Sequence, residues 1–519
     1  MVLVHQIPPT MTTNLHFFTL KFIRINSIQR KPKRIPTIVA ALIGSPFWAN
    51  SVSAHGFAFR YDLPLPLNLY LIGAGAAVCF SFVVMAYALQ TRTIFNSYRV
   101  SLSRFTPPTN ISRGALIVIR FISISLLCLI IISGFFGNQS PLKNLAPVTV
   151  WVIWWVGFVY ITALISNTWP VVNPWSSIFQ IVEQLSGVSF GKTRYPEWLG
   201  VWPAFVLLIL FAWIELVWSG SEQPRLLAIL IVLYSVLCWT GMAVYGRQTW
   251  LQRGEVFSIT FAIFGRFSPM ETSRSQGGPY LRPYGIGLLS HQPPSVSLTA
   301  FVLAMLATVT FDGFMETPIW LQMKTGVLST ASLVPSLLIV RGIFGNLYSV
   351  LETIGLMSAP VAFLSVYLMT CWMISRIDSV RRNRNSPSIT TIMAARWFVL
   401  SLVPIAIAYH LAHYLSYFLI AGQLFIPLLS DPLGLGWNLF NTAGHRLNIG
   451  IINAKTVWHV SIAVIVLGHV IAVYLAHATA LRVLEDRSRA LVSQLPMIAL
   501  MVGYTSFSLW ILAQPIGTN

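Results

Sequence analysis

The run GALIVIRFISISLLCLIIISGFF, residues 114–136, carries one charged side chain, Arg120, and no proline. A helix needs about 20 residues to cross a bilayer's hydrocarbon core. Inside that core no water can satisfy the peptide groups, so such a run adopts a helix. Working outward, nine more runs share this character: 67–90, 147–166, 201–219, 226–244, 296–311, 347–374, 392–420, 455–480 and 495–514. The sequence therefore predicts an all-α, polytopic helical membrane protein with ten transmembrane helices. Composition agrees. Of 519 residues, 55% are hydrophobic and 9% charged, whereas a soluble domain carries about 25% charged residues. The sixth run is short and reads as a broken or re-entrant element. The stretch 325–344 (TGVLSTASLVPSLLIVRGIF) has a polar start and Pro335, and is expected to lie on the surface or re-enter rather than add an eleventh span. NPWSSIFQIVEQLS, 173–186, reads as an amphipathic interfacial helix.

The chain before residue 55 has the layout of a secretory signal. KFIRINSIQRKPKR at 21–34 holds six Lys or Arg and no acid, IPTIVAALIGSPFW at 35–48 is apolar, and Val52-Ser53-Ala54 offers small side chains at the −3 and −1 positions. Residues 1–54 are thus expected to be a cleaved signal peptide and 55–519 a single membrane domain with His55 at its start. Cleavage places residue 55 outside. The loop 91–113, with Arg92, Arg99, Arg104 and Arg113, then lies inside, as do 245–295 with five Arg and 375–391 with Arg376, Arg381, Arg382 and Arg384. The alternate loops are poorer in basic residues. This is the positive-inside bias of an N-out, C-out bundle, and it accounts for the net charge of +19 without a nucleic-acid partner. The four cysteines stand singly in apolar segments, so neither a disulfide framework nor a thiolate metal site is indicated.

Ionisable side chains are costly at membrane depth and mark function more often than chance. FDGFMETPIW places Asp312 and Glu316 four apart at the outer end of the sixth run, on one helix face. AYHLAHYL places His410 and His413 on one face in the outer half of the eighth. His459 stands near the outer end of the ninth run, with His469 near its middle and His477 at its inner end. His459 and His477 are about 27 Å apart along a helix and cannot share an ion. His55, His410, His413 and His459 are the expected metal ligands, with Asp312 and Glu316 as catalytic carboxylates and Tyr409 as a proton donor; Tyr414 could donate a proton or support the site. Imidazole with carboxylate suits zinc, manganese, iron or copper. Glu352 could join this cluster, and Glu215 could pair with Arg120. A structural role, as hydrogen-bonded interior histidines and helix-end carboxylates, is the plain alternative for each residue. HExxH, Walker and Rossmann motifs and a CxxCH haem site are absent.

Several blocks carry a resemblance: AHGFAFRYDLPLPLNLYLIGAGAAVCFSFVV at 54–84, NTWPVVNPWSSIF at 167–179, RGEVFSITFAIFGRFSP at 253–269, ATVTFDGFMETPIW at 307–320 and VLGHVIAVYLAHATALRVLEDRSRALVSQLPMIALMVGYTSFSLWILAQP at 466–515. With these the chain resembles the multi-pass bacterial membrane proteins commonly labelled fenitrothion hydrolase. The resemblance implies a bacterial inner-membrane protein that hydrolyses a phosphorothioate triester, and it carries no site residues with it. Metal hydroxide attack would suit that chemistry, with the site on the periplasmic or exterior face and a small apolar ester as ligand. Two other readings stand beside it. One is a transporter or channel for a metal ion or small molecule, with His469, Glu352 and His477 as waypoints and broken helices near the midplane. The other is a copper- or haem-binding membrane component. Amino-terminal sequencing of the purified protein is expected to read His55-Gly56-Phe57; an intact upstream segment would overturn the cleavage and remove the free-amine ligand.

Overall fold

A computed structural model of the chain describes residues 65–88, 99–102, 109–273, 278–330, 346–381, 388–484 and 486–514, with Pro335 and Leu338 as isolated positions. The expected signal peptide and His55 lie outside these residues, as does most of the stretch 331–345. Among the described residues ten helices are long and apolar enough to cross a membrane. They are α1 Leu67–Ala88, α2 Arg113–Phe136, α3 Leu145–Leu164, α4 Glu197–Leu216, α5 Pro224–Tyr245, α6 Val296–Met315, α7 Leu347–Val380, α8 Thr391–His413, α9 Ala454–Val483 and α10 Arg487–Leu512. The protein is an all-α polytopic bundle.

Burial ranks the spans. In α6 and α8, 72% of the apolar window is buried inside the protein, against 11% in α2, so α6 and α8 form the centre and α2 an outer wall. α6 packs on α4, α7 and α8; α8 packs most extensively on α9; α1 closes against α9 and α10. Lipid supplies no hydrophobic drive between spans, so close backbone approach at small residues matters. Gly468 of α9 provides one such approach: a Cβ there would lie 2.9 Å from the Pro404 carbonyl oxygen of α8, with the Ala408 side chain closer still. Short polar side chains start several spans. The Ser295 hydroxyl accepts from Leu298 N at 3.1 Å before α6, and the Asn453 amide oxygen accepts from Thr456 N at 2.8 Å before α9. Each satisfies a backbone donor that a helix start leaves open.

The sixth span differs from its sequence reading: it runs unbroken from Val296 to Met315. Two other spans are irregular instead. α3 holds a π-helical segment over Val148–Gly157. α8 passes from α-helix into a 3₁₀ turn at Val399–Leu402, then back to α-helix at Val403–His413. The expected inner loop 245–295 also holds more than loop. Its apolar helix Val256–Phe267, too short to span, is buried on nearly all sides. The Glu255 carboxylate caps this helix by accepting from Phe257 N at 2.9 Å and Ser258 N at 2.6 Å. Glu255 also accepts from the Tyr234 hydroxyl. Tyr234 stands midway along α5, so this hydrogen bond ties the buried start of the helix to that span.

Past this helix the chain forms β2 Met270–Ser273 and β3 Gly278–Leu281, which join β1 Val100–Ser101 in an antiparallel sheet of order β1-β3-β2. Arg282 donates to the carbonyls of Gly265, Arg266 and Ser268 at the helix end, where a cation offsets the helix dipole. The stretch 173–186 forms a helix, Pro174–Ser186, capped by Asn173. Replacing Gly468 by Val is expected to force α8 and α9 apart at a cost of about 1–3 kcal/mol, read as a lower melting temperature in detergent; an unchanged melting temperature would show that the contact can yield.

Candidate functional site

Glu215, Asp312 and His413 come from different spans, yet all three stand in the last turn of their helices. α4, α6 and α8 are all even-numbered in an alternating bundle, so they run the same way and bring these ends to one level. Asp312 is buried at 3% exposure. Its Oδ2 meets His413 Nε2 at 3.1 Å and accepts from the Tyr414 hydroxyl. One carboxylate thus ties α6 to the end of α8. The Glu215 carboxylate also stands near the Tyr414 phenol.

Around this pair aromatic rings form a wall. His410 is buried and meets Tyr414 edge-on at 4.7 Å and Trp155 edge-on at 6.0 Å between ring centroids. Trp155 belongs to the π-helical part of α3; π-segments turn side chains out of α-helical register and recur at functional sites. The His410 Nε2 atom has no hydrogen-bond partner among the described residues. Tyr409 stacks on His413 at 5.8 Å, and its hydroxyl, also without a partner there, fits only because residue 313 is glycine and leaves the space open.

A cavity of about 40 Å³ opens inside this wall, lined by Glu215, Asp312, His410, Tyr414, Trp155 and Thr260 among others. It exceeds the ~10–15 Å³ that a single water needs and is far below the ~300–1,000 Å³ of ligand pockets. The Trp155 indole N–H stands beside the Glu215 carboxylate without closing a hydrogen bond to it. Behind the site Tyr504 of α10 pairs with the Thr310 hydroxyl of α6. His469 of α9 faces the Tyr504 ring at 5.8 Å. His469 Nδ1 donates to the Ile465 carbonyl at 2.9 Å, which leaves its Nε2 without a partner among the described residues. His477, two turns further along α9, is buried with both ring nitrogens in that condition.

The structure brings together Asp312, His410, His413 and Tyr409 of the expected set. Glu316 caps the end of α6, half-buried, close enough to act on His413. His459 does not join them: it is exposed, and its Nδ1 donates to the Lys455 carbonyl at 2.7 Å. His55 lies outside the described residues. Glu352 pairs with Lys324 at 3.0 Å rather than with the cluster. Glu215 is not ion-paired to Arg120; it faces Asp312 across the cavity instead. A catalytic metal needs about three protein ligands, and no group of three His, Cys, Asp or Glu able to hold one occurs among the described residues.

Three contributors escaped the sequence reading: Trp155, Glu222 and Tyr417. For Glu215, which the sequence offers as a partner for Arg120, the place at the end of an even-numbered span is the signal that it lies near Asp312. No protein-family model, curated protein or solved structure matches the chain.

Glu222 lies in the turn between α4 and α5, and its charge is felt at Tyr417, which also lies near Glu215 and Asp312. Burial pushes the Glu222 carboxyl up to about 7 from an ordinary 4.5. The folded chain therefore holds this proton where the unfolded chain has released it. Stability from this group is expected to fall as pH rises from about 4.5 to about 7 and to level off above. Unfolding midpoints across that range should flatten in Glu222→Gln, and a carboxylic-acid infrared band titrating near neutral pH should vanish with it. A wild-type band lost well below pH 6 would contradict the shift.

Proposed function

We propose that this protein is a membrane transporter or channel that conducts protons, in which Asp312 and His413 bind and release the proton in transit. The observation that carries this reading is the Asp312–His413–Tyr414 constellation, buried in the bundle beside Glu215 and a water-sized cavity. A carboxylate and an imidazole at membrane depth are the usual parts of a proton relay. Both spans that carry the surrounding rings are irregular, α3 through its π-segment and α8 through its 3₁₀ turn. Interrupted helices are a common build of transporters. His469 and His477 supply further buried imidazoles along α9, in line with a path away from the site.

Triester hydrolysis, which the sequence resemblance implies, asks for room beside the reacting groups. The space at Asp312 is about 40 Å³, a volume that favours water or a small ion over an ester with three arms. One experiment separates the two readings. Protein reconstituted into vesicles with an internal pH dye is expected to pass protons when a potassium-diffusion potential is applied. Asp312→Asn should reduce this flux to that of empty vesicles, and His413→Ala should slow it by about 10²-fold, the scale of a lost positioned proton carrier. Wild-type flux no greater than that of empty vesicles, or an Asp312→Asn variant as fast as wild type, would overturn the proposal. Chelator-sensitive nitrophenol release from a nitrophenyl phosphotriester, lost in His410→Ala, would support hydrolysis in its place.

A further inference from the structure

A second, larger cavity of about 420 Å³ lies between α6, α7, α8 and α10, away from Asp312. Its floor is buried and hydrocarbon: Leu303 and Leu306 from α6, Leu402 and Ile405 from α8. Its mouth is formed by Val366 of α7 with Gly503 and Phe507 of α10, all exposed at mid-span, where the surroundings are lipid tails rather than water. Two phenols reach the lining, and both hydroxyls are engaged elsewhere. Tyr367 donates to the Ala395 carbonyl at 2.8 Å. Thr310 donates to the Leu306 carbonyl at 2.6 Å, so the Tyr504 hydroxyl serves as the donor in its pairing with Thr310. The lining thus offers a ligand no free hydrogen-bond donor.

These features fix the chemistry of the occupant. An apolar cavity of even ~150 Å³ stays dry and takes hydrocarbon, and this one falls in the ~300–1,000 Å³ range of ligand pockets. Nothing in the wall would recognise a polar head, and the opening faces sideways into the bilayer. α7 carries Pro360 just before the mouth, where a missing N–H interrupts the backbone ladder. Gly503 keeps the opposite side clear, with no atom within 4 Å of the position its Cβ would take. The geometry points to a binding site for one hydrocarbon tail of a membrane lipid, inserted between α7 and α10 with its end against α6. The tail would rest on Leu306, whose carbonyl holds Thr310, two residues before Asp312. Occupancy would therefore brace the span that carries the buried carboxylate. This site stands independently of the transport proposal.

The test uses the full chain in lipid nanodiscs containing a phospholipid with a photoreactive diazirine near the end of one acyl chain. Crosslinks are expected to concentrate on peptides of α7 and α10 that contain Val366, Gly503 and Phe507, well above those on the equally lipid-facing α1. Gly503→Phe, at a position whose Cβ would meet no atom within 4 Å, projects a ring at the mouth and should cut this labelling several-fold. Gly73→Phe, at an exposed position on α1 with equal clearance, should leave it unchanged. Ala499→Trp, a second mouth position, repeats the test should the first variant fold poorly. Uniform labelling of all outer helices, or labelling that ignores both mouth variants, would overturn the site. Protection of these peptides by a freely partitioning small hydrocarbon but not by excess phospholipid would overturn the acyl-chain assignment.

Discussion

A carboxylate buried among apolar helices must be satisfied there, and Asp312 is the point where this bundle meets that demand. Its oxygen is shared by His413 and Tyr414. The two donors flank the place where α8 ends and the chain bends into Leu415–Ala421. The bend is what allows consecutive residues to approach one oxygen from two directions. Removing one side of such a buried pair leaves the other unsatisfied, typically at about 3–5 kcal/mol. The α6–α8 contact at the centre of the bundle therefore depends on polar geometry as well as on packing.

The surrounding irregularities follow from the same place. α3 would present a different face to the centre if it stayed α-helical. The π-segment at Val148–Gly157 sets Trp155 beside His410 and Glu215. Gly157 lets Phe418 pack tightly against α3, and Tyr160 donates to the Leu411 carbonyl at 2.6 Å. These contacts lock α3 to the end of α8. The short buried helix Val256–Phe267 closes the remaining side with Thr260 and Phe264. It can do so because Glu255 and Tyr234 satisfy its buried start. A small, polar-cornered cavity results, enclosed by aromatic rings and separated from the wide apolar cavity by α6 and Tyr504. One chain thus holds two unlike spaces: one sized for water or an ion, the other for hydrocarbon.

Much of the architecture was legible in the chain. Runs of apolar residues as long as the hydrocarbon core is thick dictate helices, because peptide groups in lipid have no partner but each other. That constraint is local, so ten spans could be read without knowing how they pack, and the pattern at 173–186 marked a further helix. Asp312, His410 and His413 also stood out, since ionisable residues inside such runs are costly wherever the spans finally lie. Their partners did not stand out. Glu215 and Tyr414 matter through parity and a bend, Trp155 through a π-turn, and Glu255 through a cap on a helix too short to register as a span. His459 looked like a ligand by depth, yet its helix turns it outward to an exposed position.

The sequence by itself determined which segments enter the membrane and which costly side chains they carry, because transfer into hydrocarbon depends on each residue's own chemistry. Only the tertiary structure decided which of those side chains meet. Helix rotation, the interruptions in α3 and α8 and the placement of the short buried helix are set by packing between spans far apart in the chain. No single segment holds that information.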